Sequence, residues 1–196
     1  PPSELGYGVP VTWFSLGAGT SITPEYYDCT TLYLGGEGNG KFLLGVDGQE
    51  VSVKPGEVLY VPPKTLCGTK TDSGMIYTEI ILKKEQFTMN NIIKAGQPTA
   101  LKDLISYEEG SIANLDLAHT DNMKFVLMAF DEGTGLTPHR APGNAILTAL
   151  EGKAIIGYEG RDYELNAGES FRFDKNGLHS VTAQGRFKMS LLLVLE

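Results

Sequence analysis

The chain has 196 residues, 24 of them Gly, and carries 24 Asp and Glu against 16 Lys and Arg, a formal net charge of −8. That acidity argues against nucleic acid or an anionic membrane surface as the main partner. No apolar run approaches the length of a transmembrane helix. Two cysteines are too few for a disulfide scaffold, so a cytoplasmic location is expected. The sequence starts at Pro1 rather than Met, which leaves room for a removed leader.

Taken in order, the chain reads as short strands separated by turn residues. Residues 9–16 (VPVTWFSL) predict a strand with Pro10 at its start. Residues 17–24 (GAGTSITP) read as a turn, 26–34 as a strand and 35–40 as a loop. Three short strands follow at 41–46, 50–53 and 58–61, divided by Asp47-Gly48 and Pro55-Gly56, and Pro62-Pro63 stops the run. A strand at 75–82 (MIYTEIIL) closes this first part. Residues 84–110 are more polar, lack alternation and predict a connector with a helical turn near 101–106. Strands at 111–117 and 123–130 form a hairpin around residues 119–122, and 187–195 (FKMSLLLVL) is a buried strand by composition.

The chain repeats itself. At a constant offset of 112, residues Gly40, Lys41, Gly45, Gly48, Gly56, Glu57 and Leu66 each meet an identical residue. Gly19–Glu25 (GTSITPE) matches Gly133–His139 (GTGLTPH) once two residues are allowed near Gly35-Gly36. The matched glycines fall where tight turns are wanted. A period above 100 residues means two copies of a domain, each long enough to bury its own core. The expected division is 1–83, a connector at 84–110, and 111–196. A counterpart of the strand at 111–117 is missing ahead of Val9.

These residues resemble the cupin superfamily. Gly133, His139 and Gly152 fit the skeleton of its first motif, G-x5-H-x-H-x3–4-E-x6-G. Gly168, Asp174, Gly177 and His179 fit its second loosely, and the first copy matches in its glycines and Pro62. The segments HRAPGNAILTALEGKA and GRFKMSLLLVLE are similar to those of a group of small bacterial cupins. The resemblance implies an all-β bicupin: two tandem jelly-roll (double-stranded β-helix) barrels joined by a short, part-helical connector. It also implies a site of three His and one carboxylate or Gln inside a barrel, and here the sequence departs. The second His position is Ala141 and the carboxylate position Ala145 or Ile146. In the first copy the His positions read Glu25, Tyr27 and Cys67, and the carboxylate slot Thr31 or Leu32.

The candidate pocket is therefore in the second copy, with His139, His179 and Asn144 as polar anchors. If alternation runs through the motif, both histidines point inward. Two imidazoles make half of a site for one divalent transition metal (Zn, Ni, Mn or Fe), with His139 and His179 as ligands. They equally suit a metal-free pocket that hydrogen-bonds a small molecule. In the first copy Glu25, Tyr27 and Cys67 are the weaker candidates. By alternation Glu25, Tyr27 and Cys29 share a face, and packing is the favoured reading because no histidine stands by to activate a thiol. His119 is expected in solvent at the hairpin tip, and Arg140 opposite to His139. The expected function is small-molecule binding in the C-terminal barrel. The alternative is a metal-dependent oxygenase, isomerase or decarboxylase acting on a small organic acid or sugar. Pairing into a homodimer is the remaining expectation.

Overall fold

The computed structural model describes residues 3–4, 10–82 and 87–195, and these are nearly all β. The first strands are β1 (Ser3–Glu4), β2 (Pro10–Leu16), β3 (Thr20–Glu25), β4 (Thr30–Gly38), β5 (Lys41–Leu44), β6 (Gln49–Ser52), β7 (Glu57–Val61), β8 (Cys67–Thr71) and β9 (Met75–Leu82). Two short strands, β10 (Thr88–Met89) and β11 (Thr99–Ala100), precede a 3₁₀ turn at Leu101–Leu104. The rest are β12 (Ile112–Thr120), β13 (Met123–Phe130), β14 (Gly135–Arg140), β15 (Gly143–Glu151), β16 (Lys153–Tyr158), β17 (Arg161–Asn166), β18 (Ser170–Phe173), β19 (Leu178–Ala183) and β20 (Phe187–Leu195).

The described residues divide into two compact units, one made of 3–4, 10–82, 87 and 91–100, the other of 88–90 and 101–195. Each unit has two antiparallel sheets. In the first they run β1-β2-β9-β4-β7-β11 and β3-β8-β5-β6; in the second, β10-β12-β13-β20-β15-β18 and β14-β19-β16-β17. The duplication seen in the sequence reappears as topology: β2, β9, β4 and β7 take the places of β13, β20, β15 and β18, and β3-β8-β5-β6 that of β14-β19-β16-β17. Both units are jelly-roll barrels. Gly48 and Gly160, and Gly56 and Gly168, have positive φ in matched turns, a conformation glycine adopts without a steric penalty.

Each unit has its own apolar interior. In the first, Tyr33, Phe42, Leu59, Val61 and Tyr77 are buried together, with Phe14 and Tyr77 stacked at 4.8 Å and Phe42 edge-on to Tyr77 at 5.2 Å. In the second, Phe130, Leu147, Ile156, Phe173, Val181 and Phe187 fill the same role. The strands contribute alternate residues to these cores, as a half-buried strand does.

Several expectations are corrected. Residues 17–24 contain a strand, β3, rather than only a turn. Ile22 and Pro24 are its only apolar residues among four polar ones, too few for an apolar period to mark it. β8 and β19 were likewise unmarked. The loop at 35–40 is mostly strand, because β4 runs to Gly38. There Gly35 and Gly36 allow a close approach: a Cβ on Gly35 would lie 2.1 Å from the Lys54 carbonyl oxygen. The missing counterpart of β12 is the two-residue β1, which pairs with β2. Val9 and residues 84–86 lie outside the described residues. β12 continues through His119, which is exposed, and leaves Asp121 and Asn122 as the hairpin tip.

The segment read as a connector is divided between the units. Ala95 bridges to Tyr60, and β11 adds to the edge of β7. Beyond it, Tyr107 donates its hydroxyl to Glu151 Oε1 at 2.8 Å. Lys188, nearly buried, donates to the Lys102 carbonyl at 2.8 Å and lies 4.7 Å over the Tyr107 ring. These contacts fasten 101–110 to the second barrel.

Candidate functional site

The two histidines meet because of one irregularity. Along β14 and β19 Leu136 lies opposite Val181, and the next aligned pair is His139 opposite His179. β14 advances three residues while β19 advances two. In a regular strand an odd step would turn His139 to the outer face, since side chains alternate. The extra residue, at Thr137-Pro138, restores it to the face of Val181 and His179. Proline has no N–H to give the ladder, which suits it to such a break. Alternation therefore does not run through the motif as expected; the bulge is what brings the rings together. The same break occurs in the first unit, where Ile22 faces Thr69 and then Glu25 faces Cys67, with Pro24 in the gap.

The imidazole centroids are 4.3 Å apart at 54°. His179 is buried and His139 exposed at the barrel mouth. Each ring is held by the carbonyl two residues earlier: His139 Nδ1 to Thr137 at 2.8 Å, and His179 Nδ1 to Gly177 at 2.9 Å. A carbonyl only accepts, so Nδ1 carries the proton and Nε2 of a neutral ring is left as an acceptor. Burial lowers the His179 pKa from its ordinary value, the Gly177 bond opposes this, and nearby His139 lowers it further. His179 is therefore held toward its neutral form.

Aromatic rings back the pair. Phe173 stacks on His179 at 4.2 Å and 23°, and Tyr158, opposite His179 on β16, lies 5.7 Å from Phe173. The Tyr158 hydroxyl accepts from Asp174 N at 3.3 Å. These residues sit on the inner face because β16, β18 and β19 expose Ile156, Phe171 and Val181 to the same core.

Other sequence candidates lie elsewhere. Asn144 is not brought to the histidines. It is on the opposite face of β15 from Ala145, Leu147 and Ala149, which line the core, and its Oδ1 accepts from Lys175 N at 2.9 Å. Consecutive residues of a strand point to opposite sides, which rules it out as an inner anchor. Arg140 does point away, donating to the Asn176 carbonyl and lying 3.6 Å from Glu159. In the first unit β3 ends at Glu25 and residues 26–29 are irregular, so alternation does not place Tyr27 and Cys29. Tyr27 nevertheless lies near Glu25 and Cys67: burial raises its hydroxyl, followed by Glu79, Glu25 and Cys67. Burial also pushes the Cys67 thiol up to about 11, away from the reactive thiolate.

The residue that sequence reasoning missed is Glu79. It lies on β9 opposite Tyr33 and is 6% exposed. Burial raises its carboxyl, the Tyr33 hydroxyl hydrogen bond opposes the rise, and Glu25 adds to it. Parity in MIYTEIIL groups Glu79 with Met75 and Tyr77, but Ile76, Ile80 and Leu82 make the other face equally apolar, so the sequence does not signal which face is enclosed.

These residues do not fit the metal set of the resembled motif. Of the two residues at the carboxylate position, Ala145 is buried, and neither it nor Ile146 has a side-chain donor atom. Among the described residues no group of three His, Cys, Asp or Glu is arranged to hold a metal ion. Nor, among those residues, is any helix long and apolar enough to cross a membrane.

Residues 126–195, within the second unit, match the family model of the cupin domain. The whole fold is similar to a cupin 2 conserved barrel domain protein from Leptotrichia buccalis: 25% identity, TM-score 0.81, covering 96% of this chain and 85% of that one. It is also similar to a salicylate 1,2-dioxygenase from Pseudaminobacter salicylatoxidans, at 12% identity and TM-score 0.66, covering 95% and 70%. A cupin superfamily protein from Desulfitobacterium hafniense matches 56% of this chain and 99% of its own at 22% identity and TM-score 0.53. The last two likenesses concern the fold alone. Comparison with curated proteins gives no match.

Proposed function

We propose that the chain is a two-domain cupin whose C-terminal barrel binds a small organic molecule between His139, His179 and the Phe173–Tyr158 wall. The observation that carries this reading is the pair of imidazoles 4.3 Å apart, each with Nδ1 tied to a backbone carbonyl. Two Nε2 acceptors at the mouth of an aromatic-backed barrel suit a ligand that offers hydrogen-bond donors from a flat, partly apolar body. A phenol or a hydroxylated ring has that character. Apolar walls with a few fixed polar groups are the usual make-up of such sites.

In this reading His139, on the exposed side, meets the ligand first. His179, held toward neutrality by burial, accepts a proton only weakly and serves mainly to orient it. The competing reading is a metal-dependent enzyme of the oxygenase, isomerase or decarboxylase type, with Zn, Ni, Mn or Fe on the same two histidines. It needs at least one further ligand, since catalytic zinc sites commonly hold three protein donors. Ala141 and Ala145 do not supply one.

The test combines elemental analysis with thermal shifts on the wild type and the His139→Ala and His179→Ala variants. The expected result is substoichiometric metal after incubation with each ion, and saturable stabilisation by phenol that both variants lose. Near-stoichiometric metal in the wild type, lost in both variants, overturns the binding-only reading in favour of the metal enzyme. Stabilisation by phenol that survives both variants removes the histidines from the site.

A further inference from the structure

The first barrel carries polar chemistry where the second carries leucine. Glu79 lies opposite Tyr33 across β9 and β4, and in the second unit the matched pair is Leu191 opposite Leu147 across β20 and β15. Buried Thr31 takes the place of Ala145. The same barrel thus closes with an apolar layer at this level, and nothing in the fold requires an acid there. Putting a carboxylate in that layer costs free energy unless its charge is matched.

No such match comes from the neighbouring side chains. The groups acting on Glu79 and its neighbours are Tyr33 on β4, Cys67 on β8, Tyr77 on β9, Glu25 at the end of β3 and Tyr27 just beyond it. None is a cation. More than nine-tenths buried, Glu79 has the Tyr33 hydroxyl as its hydrogen-bond partner among the described residues. An ionised carboxylate offers about four acceptor sites. Exposure falls across the cluster: Glu25 is exposed, Tyr27 and Cys67 are half-buried, and Tyr33 and Glu79 are buried. The cluster thus runs from exposed to buried side chains, and the acid at its buried end has no cation among the groups acting on it.

We infer that this cluster binds a small organic cation, a primary alkylammonium, with Glu79 at its buried end, Glu25 at its exposed end and the Tyr27 and Tyr33 rings alongside. The ammonium supplies the missing countercharge and three N–H donors for the carboxylates and hydroxyls. Aromatic faces add attraction to a desolvated cation. The inference is independent of the histidine site.

The experiment is calorimetric titration of the full chain with n-butylammonium chloride. 1-Butanol and sodium butyrate serve as neutral and anionic isosteres, in phosphate and in HEPES at one pH. Butylammonium is expected to bind saturably, at least about tenfold more tightly than either isostere. Any difference in heat between the two buffers counts the protons that leave the site on binding. Glu79→Gln should abolish binding with the β circular-dichroism spectrum intact, Glu25→Gln should weaken it, and His139→Ala should leave it unchanged. Equal binding of butanol, no saturable binding, or retained binding in Glu79→Gln overturns the assignment. Loss of binding in His139→Ala places the amine in the other barrel and overturns it as well.

Discussion

At the scale of single residues, two buried titratable groups push stability in opposite directions with pH. His179 has its folded pKa lowered, first by burial. The unfolded chain then binds the proton more readily, so stability falls as pH drops from the ordinary imidazole value through the lowered one. Melting temperatures of wild type and His179→Gln, measured from pH 8 to 5, should converge or cross as the wild type loses this contribution. A constant difference across that range would show that His179 does not titrate with folding. Glu79 has its folded pKa raised, again chiefly by burial. The folded state holds the proton more tightly, so the carboxyl costs stability once pH rises above the ordinary carboxylate value and through the raised one. Glu79→Gln is therefore expected to melt higher than wild type at pH 7 to 8 and to gain little near pH 4. A lower melting temperature at neutral pH would mean that the carboxylate is compensated in the native state. His139 and His179 were legible in the sequence by residue type and motif. Glu79 was not, because β9 reads as apolar on both faces and only pairing with β4 sets which face is enclosed.

At the scale of elements, the bulge at Thr137-Pro138 decides the site. Pro138→Val restores the ladder N–H that proline lacks; once β14 pairs without the bulge, its step of three residues from Leu136 turns His139 outward. His179 then loses one of the influences lowering its pKa, so its NMR titration midpoint should rise toward the ordinary value while the strand persists. An unchanged midpoint would show that the rings are not coupled through the bulge. The β15–β20 ladder offers a second check. A Cβ on Gly143 would lie 1.9 Å from the Val194 carbonyl oxygen. Gly143→Ala must push those strands apart, and a loss of about 3 kcal/mol in urea unfolding is expected. The sequence marked Gly-containing turns well, since their chemistry is local. It did not mark β3, β8 or β19, whose residues show no clean apolar period and are held in place by their partners.

At the scale of the whole molecule, the same topology occurs twice with its own core each time. Phe42, fully buried and edge-on to Tyr77, anchors the first core. Phe42→Ala should cost about 3–5 kcal/mol, read from denaturant unfolding. A cost under about 1 kcal/mol would show that the first core repacks freely. What the sequence by itself determined is the fold class and its duplication. Short apolar runs, punctuated by glycines at a constant offset of 112, specify strands and turns through local conformational preference. What only the tertiary structure decided is which polar side chains the barrels enclose. Inward or outward is a question of parity along a strand, and one extra residue reverses it. That parity is set by hydrogen-bonded partners far away in sequence. Hence His139 came to face His179, Asn144 turned away, and Glu79 was enclosed opposite Tyr33.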